Sequence, residues 1–451
     1  MPIKVGCISL GCPKNLVDSE IMLGMLNDGD YRITTDLHEA DAIIVNTCAF
    51  INDAKEEAVD AILSASLYRK TGNLKALIVT GCLAQRYKDE IISEIPEVDA
   101  VVGTGNISEI RQVISEHVAG NREKRLFVND PKDVCYLDNT RMLSQSGSSQ
   151  YLKIAEGCSN HCTYCIIPYL RGPFRSRSIE SIVSEAETLV KAGAREIILI
   201  AQDVTRYGED IYGEYRLVEL VRKLSGIGGL KWIRLLYCYP ERITDELVYE
   251  LKINPKLLKY LDIPIQHASD RVLKTMGRKT ERKELAGLIE RLRSEIPGII
   301  LRTTLITGFP GETEEDIEIL KDFIKSYPFD RLGVFAYSRE EGTPAAKMKN
   351  QVKEPVKKQR REEILAVQNE AVIPLIGKRL GRVYEVLVEG VAEDGIFYYG
   401  RSYGEAPEID PVIYFTSIEP LETGSFVNVK ILNIDGMDLV GEVVFNQPDM
   451  T

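Results

Sequence analysis

Short apolar runs alternate along the first 120 residues with stretches whose apolar positions recur every three to four residues. The runs at 3–10, 42–45, 77–79 and 100–102 predict buried parallel strands. Helical spacing near 16–26, 53–67, 85–95 and 108–118 fills the gaps, so this part is expected to be an open, doubly wound α/β sheet. A polar, Ser-rich stretch at 138–150 has the composition of a linker. Beyond it, strands are expected at 151–155, 196–201, 232–237, 260–265, 299–307 and 332–337. Ile179, Ile182, Val183, Ala186, Leu189 and Val190 form one helical stripe, and Leu285, Leu288, Ile289 and Leu292 another. Six strand–helix units fall short of the eight of a closed (β/α) barrel, which predicts an open, partial (β/α)6 barrel. A helix is expected over 355–376, where the basic run Lys357, Lys358, Arg360, Arg361 reads as a solvated face. Short strand-like runs between 382 and 446, broken by Gly, Pro and Asp, predict a small antiparallel β-barrel. The expected domains are therefore 1–137, 151–380 and 381–451, with 138–150 as linker.

Composition changes this picture little: 44% hydrophobic and 27% charged residues describe an ordinary globular chain. No apolar run approaches the roughly 18 residues of a membrane span, and the N-terminus lacks a signal pattern, so a soluble, cytoplasmic protein is expected. Charge is more informative. Residues 1–150 carry 15 basic and 22 acidic side chains, 151–380 carry 38 and 33, and 381–451 carry Arg382, Arg401 and Lys430 against thirteen acids. An acidic tail repels phosphate backbones and favours a basic partner, although a plain solvated face is an equal alternative.

Nine cysteines in a chain without a secretory pattern direct attention to metal or redox chemistry. Gly157-Cys158-Ser159-Asn160-His161-Cys162-Thr163-Tyr164-Cys165 places three thiols at C-x3-C-x2-C just after the first expected barrel strand. Three thiolates can hold three irons of a cubane cluster and leave the fourth open. The alternative is zinc, with His161 or a distant cysteine as fourth ligand, but the spacing favours iron–sulfur. Cys12, Cys48 and Cys82 each follow a different expected parallel strand, and such strand ends converge on the ligand crevice of an open α/β sheet. Three in equivalent places favour a second cluster over buried structural thiols. Cys7, Cys135 and Cys238 show no such pattern and default to core or incidental roles.

The cluster loop resembles that of the radical S-adenosylmethionine (SAM) superfamily, with Tyr164 at its aromatic position. Taken with Ser9-Leu10-Gly11-Cys12-Pro13-Lys14-Asn15, Asn46-Thr47-Cys48-Ala49-Phe50, Gly81-Cys82-Leu83-Ala84-Gln85-Arg86 and the run to Arg177, the whole chain resembles the methylthiotransferases. Its motifs are similar to the branch acting on an aspartate of a ribosomal protein; the tRNA-modifying branch more typically reads GCQMN at the first motif. The resemblance implies that Cys158, Cys162 and Cys165 bind a SAM-cleaving 4Fe–4S cluster. Cys12, Cys48 and Cys82 would bind a second 4Fe–4S cluster that carries the sulfur to be inserted. One SAM would methylate that sulfur. A second would yield the radical that takes hydrogen from the β-carbon of an aspartate in small-subunit ribosomal protein S-twelve.

The resemblance also places SAM near Tyr164, Gln202, Asp203, Gly308 and Gly311. Gly308-Phe309-Pro310-Gly311-Glu312-Thr313 is equally a Pro-Gly turn with Thr313 as N-cap, and Asp203 an ordinary strand-end acid. His267 is a candidate pocket residue or a satisfied strand-end histidine. Arg171, Arg175 and Arg177 would meet an acidic substrate, the SAM carboxylate, or surface partners. Expected partners are a basic ribosomal protein, an electron donor and a sulfur donor; three bases against thirteen acids argue against RNA on the C-terminal barrel. Methylthiolation of a tRNA adenosine is the rival activity, and a non-catalytic iron–sulfur or zinc module the rival class.

Overall fold

The computed structural model describes residues 1–451 except 28, 50, 122, 124, 133–139, 145, 146 and 445–451. Cys135, Phe50 and part of the 138–150 stretch therefore lie outside the described residues.

The N-terminal sheet contains β1 (Ile3–Ser9), β2 (Tyr31–Ile33), β3 (Ala42–Thr47), β4 (Ala76–Gly81), β5 (Ala100–Val102) and β6 (Leu126–Phe127). All its pairings are parallel, in the order β2-β1-β3-β4-β5-β6. β3 and β4 are buried at every position, as strands covered by helices on both faces must be. β2 and β6 were not expected: at three and two residues they are too short to show a period.

The central unit runs β7 (Ser149–Lys153), the two-residue β8 (Ala155–Glu156) and β9 (Arg175–Ser176), then β10 (Glu196–Ile200), β11 (Trp232–Leu235), β12 (Leu257–Asp262), β13 (Ile300–Thr307) and β14 (Arg331–Ala336). Six of these form an open sheet, β14-β13-β12-β11-β10-β7, parallel throughout. Its faces divide by the two-residue period. Ile197, Leu199 and Ile233 pack under the flanking helices, where Ile182, Ala186, Leu189, Leu285, Ile289 and Leu292 supply the expected stripes. Ile198, Ile200, Trp232, Tyr260 and Ile300 face the other way and share one apolar cluster with Val17, Ile21 and Met22 of helix Pro13–Met25 and with Leu387 and Ala406. The partial barrel is thus filled from its two neighbours.

Helix Glu354–Gly377 leads to β15 (Val383–Val391), β16 (Tyr398–Arg401), β17 (Ile413–Thr416), β18 (Phe426–Asp435) and β19 (Asp438–Val443), which close into a five-stranded barrel. The pairings are antiparallel except β17–β19, which is parallel. The expected solvated face of helix Glu354–Gly377 is corrected. Lys357 and Arg360 are buried, Lys357 Nζ donating to Tyr337 O at 2.8 Å and Arg360 Nη1 to Glu312 Oε1 at 2.9 Å, while Lys358 and Arg361 stay exposed.

Buried ion pairs join the units. Glu340, beyond β14, accepts from Arg86 at 2.5 Å and Lys55 at 2.8 Å. The segment between β16 and β17 enters the open sheet: Arg401 meets Glu196 at 2.8 Å, Arg331 meets Glu405 at 3.1 Å, and Tyr260 donates to Asp410 at 2.7 Å. No helix among the described residues is long and apolar enough to cross a membrane.

Candidate active site

Strands β1, β3 and β4 are neighbours, and each is followed within three residues by a cysteine. Cys12 is the N-cap of helix Pro13–Met25, Cys48 follows β3 directly, and Cys82 opens helix Cys82–Arg86. Motif amides tie the three turns together. Asn15 Nδ2 donates to Leu10 O and Thr47 O, each at 3.0 Å, while Asn46 Nδ2 donates to Asn15 O at 2.8 Å. Gly11, at φ 89°, has a conformation that other residues rarely take, and a Cβ there would lie 2.7 Å from Cys48 Cβ and 3.2 Å from its Sγ. Arg171 is buried beside these thiols, reaching Asp18 at 3.0 Å, Glu156 at 2.9 Å and Asn15 at 2.5 Å. That replaces the expected surface or SAM-facing role of Arg171. Arg177 is likewise buried, against Glu185 at 2.5 Å.

Burial pushes the Cys82 thiol up to about 12, with Arg171 pulling against it. Burial acts on Cys12 too, but there Lys14, Arg171 and the backbone N–H groups of Lys14 and Asn15 outweigh it and hold the thiol below its usual value. A cradle of three converging thiols, a glycine that leaves them room and two nearby cations suits thiolate ligands of a cluster.

The second set lies on the loop after β8. Cys158 and Cys162 are buried and Cys165 half-buried. Cys158 N donates to Gly172 O at 3.0 Å, Thr163 N to Met276 O at 2.9 Å, and Cys165 N to Cys162 O at 3.1 Å, so backbone bonds hold the loop. Arg278 Nη1 lies 3.9 Å and Tyr239 Oη 3.8 Å from Cys162 Sγ. Burial raises Cys158 to about 11 and Cys165 further. His161 is exposed, and among the described residues no three His, Cys, Asp or Glu side chains are set to hold a single metal ion. A three-thiol loop with two thiols buried, the third half-buried and a cation at one sulfur fits a cluster by the same reasoning.

The two sets meet through Tyr237-Cys238-Tyr239, which follows β11. Tyr239 touches Cys162, whereas the Tyr237 ring sits 3.3 Å beneath Lys14 Nζ, two residues from Cys12. Tyr237 adopts φ 64°, a conformation costly for a bulky residue, and its N–H donates to Asp262 Oδ2 at 3.1 Å. Cys238 is fully buried in the helix-side core, as its default role required, and Cys7 is a half-buried strand thiol. Tyr237, Tyr239, Arg278 and Lys14 were missed. Only Lys14, inside a cysteine motif, carried a local signal.

Tyr164 lines an apolar cavity of about 210 Å³ with Gln266, Ile306, Phe335, Tyr337 and, from the N-terminal unit, Ile51. Asp203 is buried and engaged by Arg242 and Asn160 at 2.9 Å each and by Thr205 at 2.6 Å. Gln202 is half-buried at the end of β10. Gly308 N donates to Glu312 at 2.8 Å and Gly311 N to Asn350 O at 2.9 Å, while Thr313 and Asp316 form a capping box. These bonds shape the turn without any ligand. Phe309 from the same turn packs in one cluster with Tyr337 and Tyr164. His267 is fully buried, its Nδ1 accepting from Ser269 N at 2.9 Å and its Nε2 3.5 Å from Glu312. Only one ring nitrogen is satisfied, since Nε2 and the facing Glu312 Oε2 are both buried without a hydrogen-bond partner among the described residues.

Comparison with known proteins matches residues 4–103 to "Uncharacterized protein family UPF0004", 152–324 to the radical SAM superfamily and 380–444 to the TRAM domain. Full-length relatives include the "ribosomal protein uS12 methylthiotransferase RimO" of Acetivibrio thermocellus, 59% identical over 98% of this chain and 99% of the relative. Those of Lachnoclostridium phytofermentans (52%; 97% and 99%) and Clostridioides difficile (49%; 98% and 99%) carry the same name. A solved radical SAM methyltransferase, TsrM from Kitasatospora setae, has a similar fold at 14% identity, with a TM-score of 0.58 over 76% of this chain and 77% of that one. With two converging cysteine sets and this identity along its whole length, the chain belongs to the RimO family of radical SAM methylthiotransferases.

Proposed function

We propose that the protein methylthiolates the β-carbon of an aspartate in ribosomal protein uS12, using SAM as methyl donor and radical source. The observation that carries this is the meeting of Cys12, Cys48 and Cys82 on three adjacent strand ends, joined by Tyr237–Tyr239 to the Cys158, Cys162, Cys165 loop. In this reading Cys158, Cys162 and Cys165 hold the SAM-binding 4Fe–4S cluster, and Cys12, Cys48 and Cys82 hold the second. When bound, the two clusters supply an electron for SAM cleavage and the sulfur for insertion.

The protein's own residues prepare that chemistry. Cys82, Cys158 and Cys162 are buried while Cys12, Cys48 and Cys165 are half-buried, so each set is partly screened from the water that a carbon radical must avoid. Arg278 and Arg171 place positive charge beside thiolate sulfur. Tyr164 and its apolar cavity offer a face for the SAM adenine; Gln202, Asp203, Gly308 and Gly311 complete the SAM surroundings in this reading, Asp203 acting through Asn160 of the cluster loop. Residues 1–137, 151–380 and 381–451, with 138–150 between the first two, divide the work into sulfur carriage, radical generation and substrate docking. An acidic C-terminal barrel suits a basic ribosomal protein in the cytoplasm rather than RNA. An electron donor and a sulfur donor are required partners.

The test is anaerobic reconstitution followed by incubation with SAM, reductant and either uS12 or unmodified tRNA. A methylthio mass gain on uS12 is expected. A gain on tRNA alone would overturn the reading.

A further inference from the structure

Lys14 is 5% exposed, yet its ammonium makes no ion pair and no hydrogen bond among the described residues. It lies over the face of Tyr237, 3.3 Å from Nζ, and beside the Cys12 thiol, with which it makes no hydrogen bond. A ring face attracts the cation without using its three N–H donors as a conventional acceptor would. Of the anionic groups around it, Cys12 acts most strongly, and the two carboxylates, Glu156 and Asp262, are both engaged elsewhere. Glu156 accepts from Lys153 and Arg171 at 2.9 Å each, and Asp262 from Arg302 at 2.8 Å and from Tyr237 N at 3.1 Å. Cys12 offsets part of the charge, but an ammonium this deep with no acceptor for its N–H groups is costly until one is supplied. Its place is specific: two residues from Cys12, on the ring whose neighbour-but-one, Tyr239, touches Cys162. The strained Tyr237 backbone that presents the ring is held by Asp262, itself fixed by Arg302.

We infer that Lys14 receives the carboxylate of the substrate aspartate and so fixes its β-carbon between the two cysteine sets. This rests on the function proposed above. A carboxylate entering a water-poor site needs a charge-assisted partner, and Lys14 is a buried ammonium with all three donors available. The adjacent carbon is then held one bond from the anchored group, leaving its C–H bonds free to react. An asparagine in the same place would bring no charge to the ammonium.

The test uses reconstituted enzyme without reductant, so that nothing turns over, and measures binding of uS12 and of uS12 with the target aspartate changed to asparagine. Wild-type enzyme is expected to bind the aspartate form about tenfold to a hundredfold more tightly, the range for a charged hydrogen-bonded contact. Lys14→Met is expected to bind both forms alike, at the wild-type affinity for the asparagine form, and Lys14→Arg to recover part of the preference. Equal iron content and melting temperature of the variants report an intact site. The substrate change on wild-type enzyme needs no variant at all, and equal binding of the two forms there overturns the assignment. A preference kept by Lys14→Met, while wild-type enzyme still modifies uS12, overturns the role of Lys14 alone. Failure of wild-type enzyme to modify uS12 overturns the functional reading and this assignment with it.

Discussion

Arg171 reaches Asp18 and Asn15 on the N-terminal unit and Glu156 on the central unit from a position 1% exposed. Nothing in its sequence neighbourhood announces this, because its partners lie 153, 156 and 15 positions away. Arg171→Met would leave two buried carboxylates short of a cation, at a cost of about 3–5 kcal/mol, and denaturant unfolding should show a correspondingly lower midpoint. The cysteines make a sharper demand. Cys82→Ser should lower iron from about eight to about four per chain while SAM cleavage persists, whereas Cys165→Ser should lose cleavage. Iron assay and 5′-deoxyadenosine release check both; full iron in Cys82→Ser would remove that residue from the ligand set.

The turn at Gly308 is where two elements press together. It has φ 73°, and a Cβ there would collide with the side chain of Lys357 on helix Glu354–Gly377. Gly308→Ala should therefore cost at least about 1–3 kcal/mol in backbone strain alone. Thermal unfolding measures it, and an unchanged midpoint would show that the helix yields freely. The same contact explains what could be read ahead of the structure. Strand ends carrying Cys12, Cys48 and Cys82 were legible because period and turn residues are local properties of the chain. The burial of Lys357 and Arg360 was not, since their acceptors, Tyr337 and Glu312, come from distant turns. Tyr237 was hidden for a related reason: an aromatic residue at a strand end gives no hint of the ammonium it will meet.

Across the whole molecule, the acidity of the last 71 residues divides into an outer and an inner part. Glu405 is buried between Arg379 and Arg331, and Glu389 meets Arg401. Burial raises the Glu405 carboxyl, but Arg379 and Arg331 outweigh it and bring it down to about 2 from 4.5. Its folded value lies below its unfolded one, so its stabilisation is full above about pH 4.5 and is lost as pH falls towards 2; a shift of this size is worth about 3 kcal/mol. Glu405→Gln should thus lower the melting temperature at pH 7, and the difference from wild type should shrink below pH 4. Asp410 in the same interface is raised, burial prevailing over its cations, so its protonation favours the folded state and softens the acid transition. A constant gap at all pH values would mean that Glu405 contributes through shape rather than charge.

Tyr237-Cys238-Tyr239 has a consequence for modularity. Two residues of chain extend at most about 7 Å, so while Lys14 stays on Tyr237 and Tyr239 on Cys162, the short spacing of the two tyrosines keeps the two cysteine sets close together. The N-terminal unit is therefore not an interchangeable cartridge. Moving it onto another barrel would require carrying this three-residue rail along with it, and a chimera that matched every surface contact but lacked the rail would hold both sets of thiols without keeping them in register.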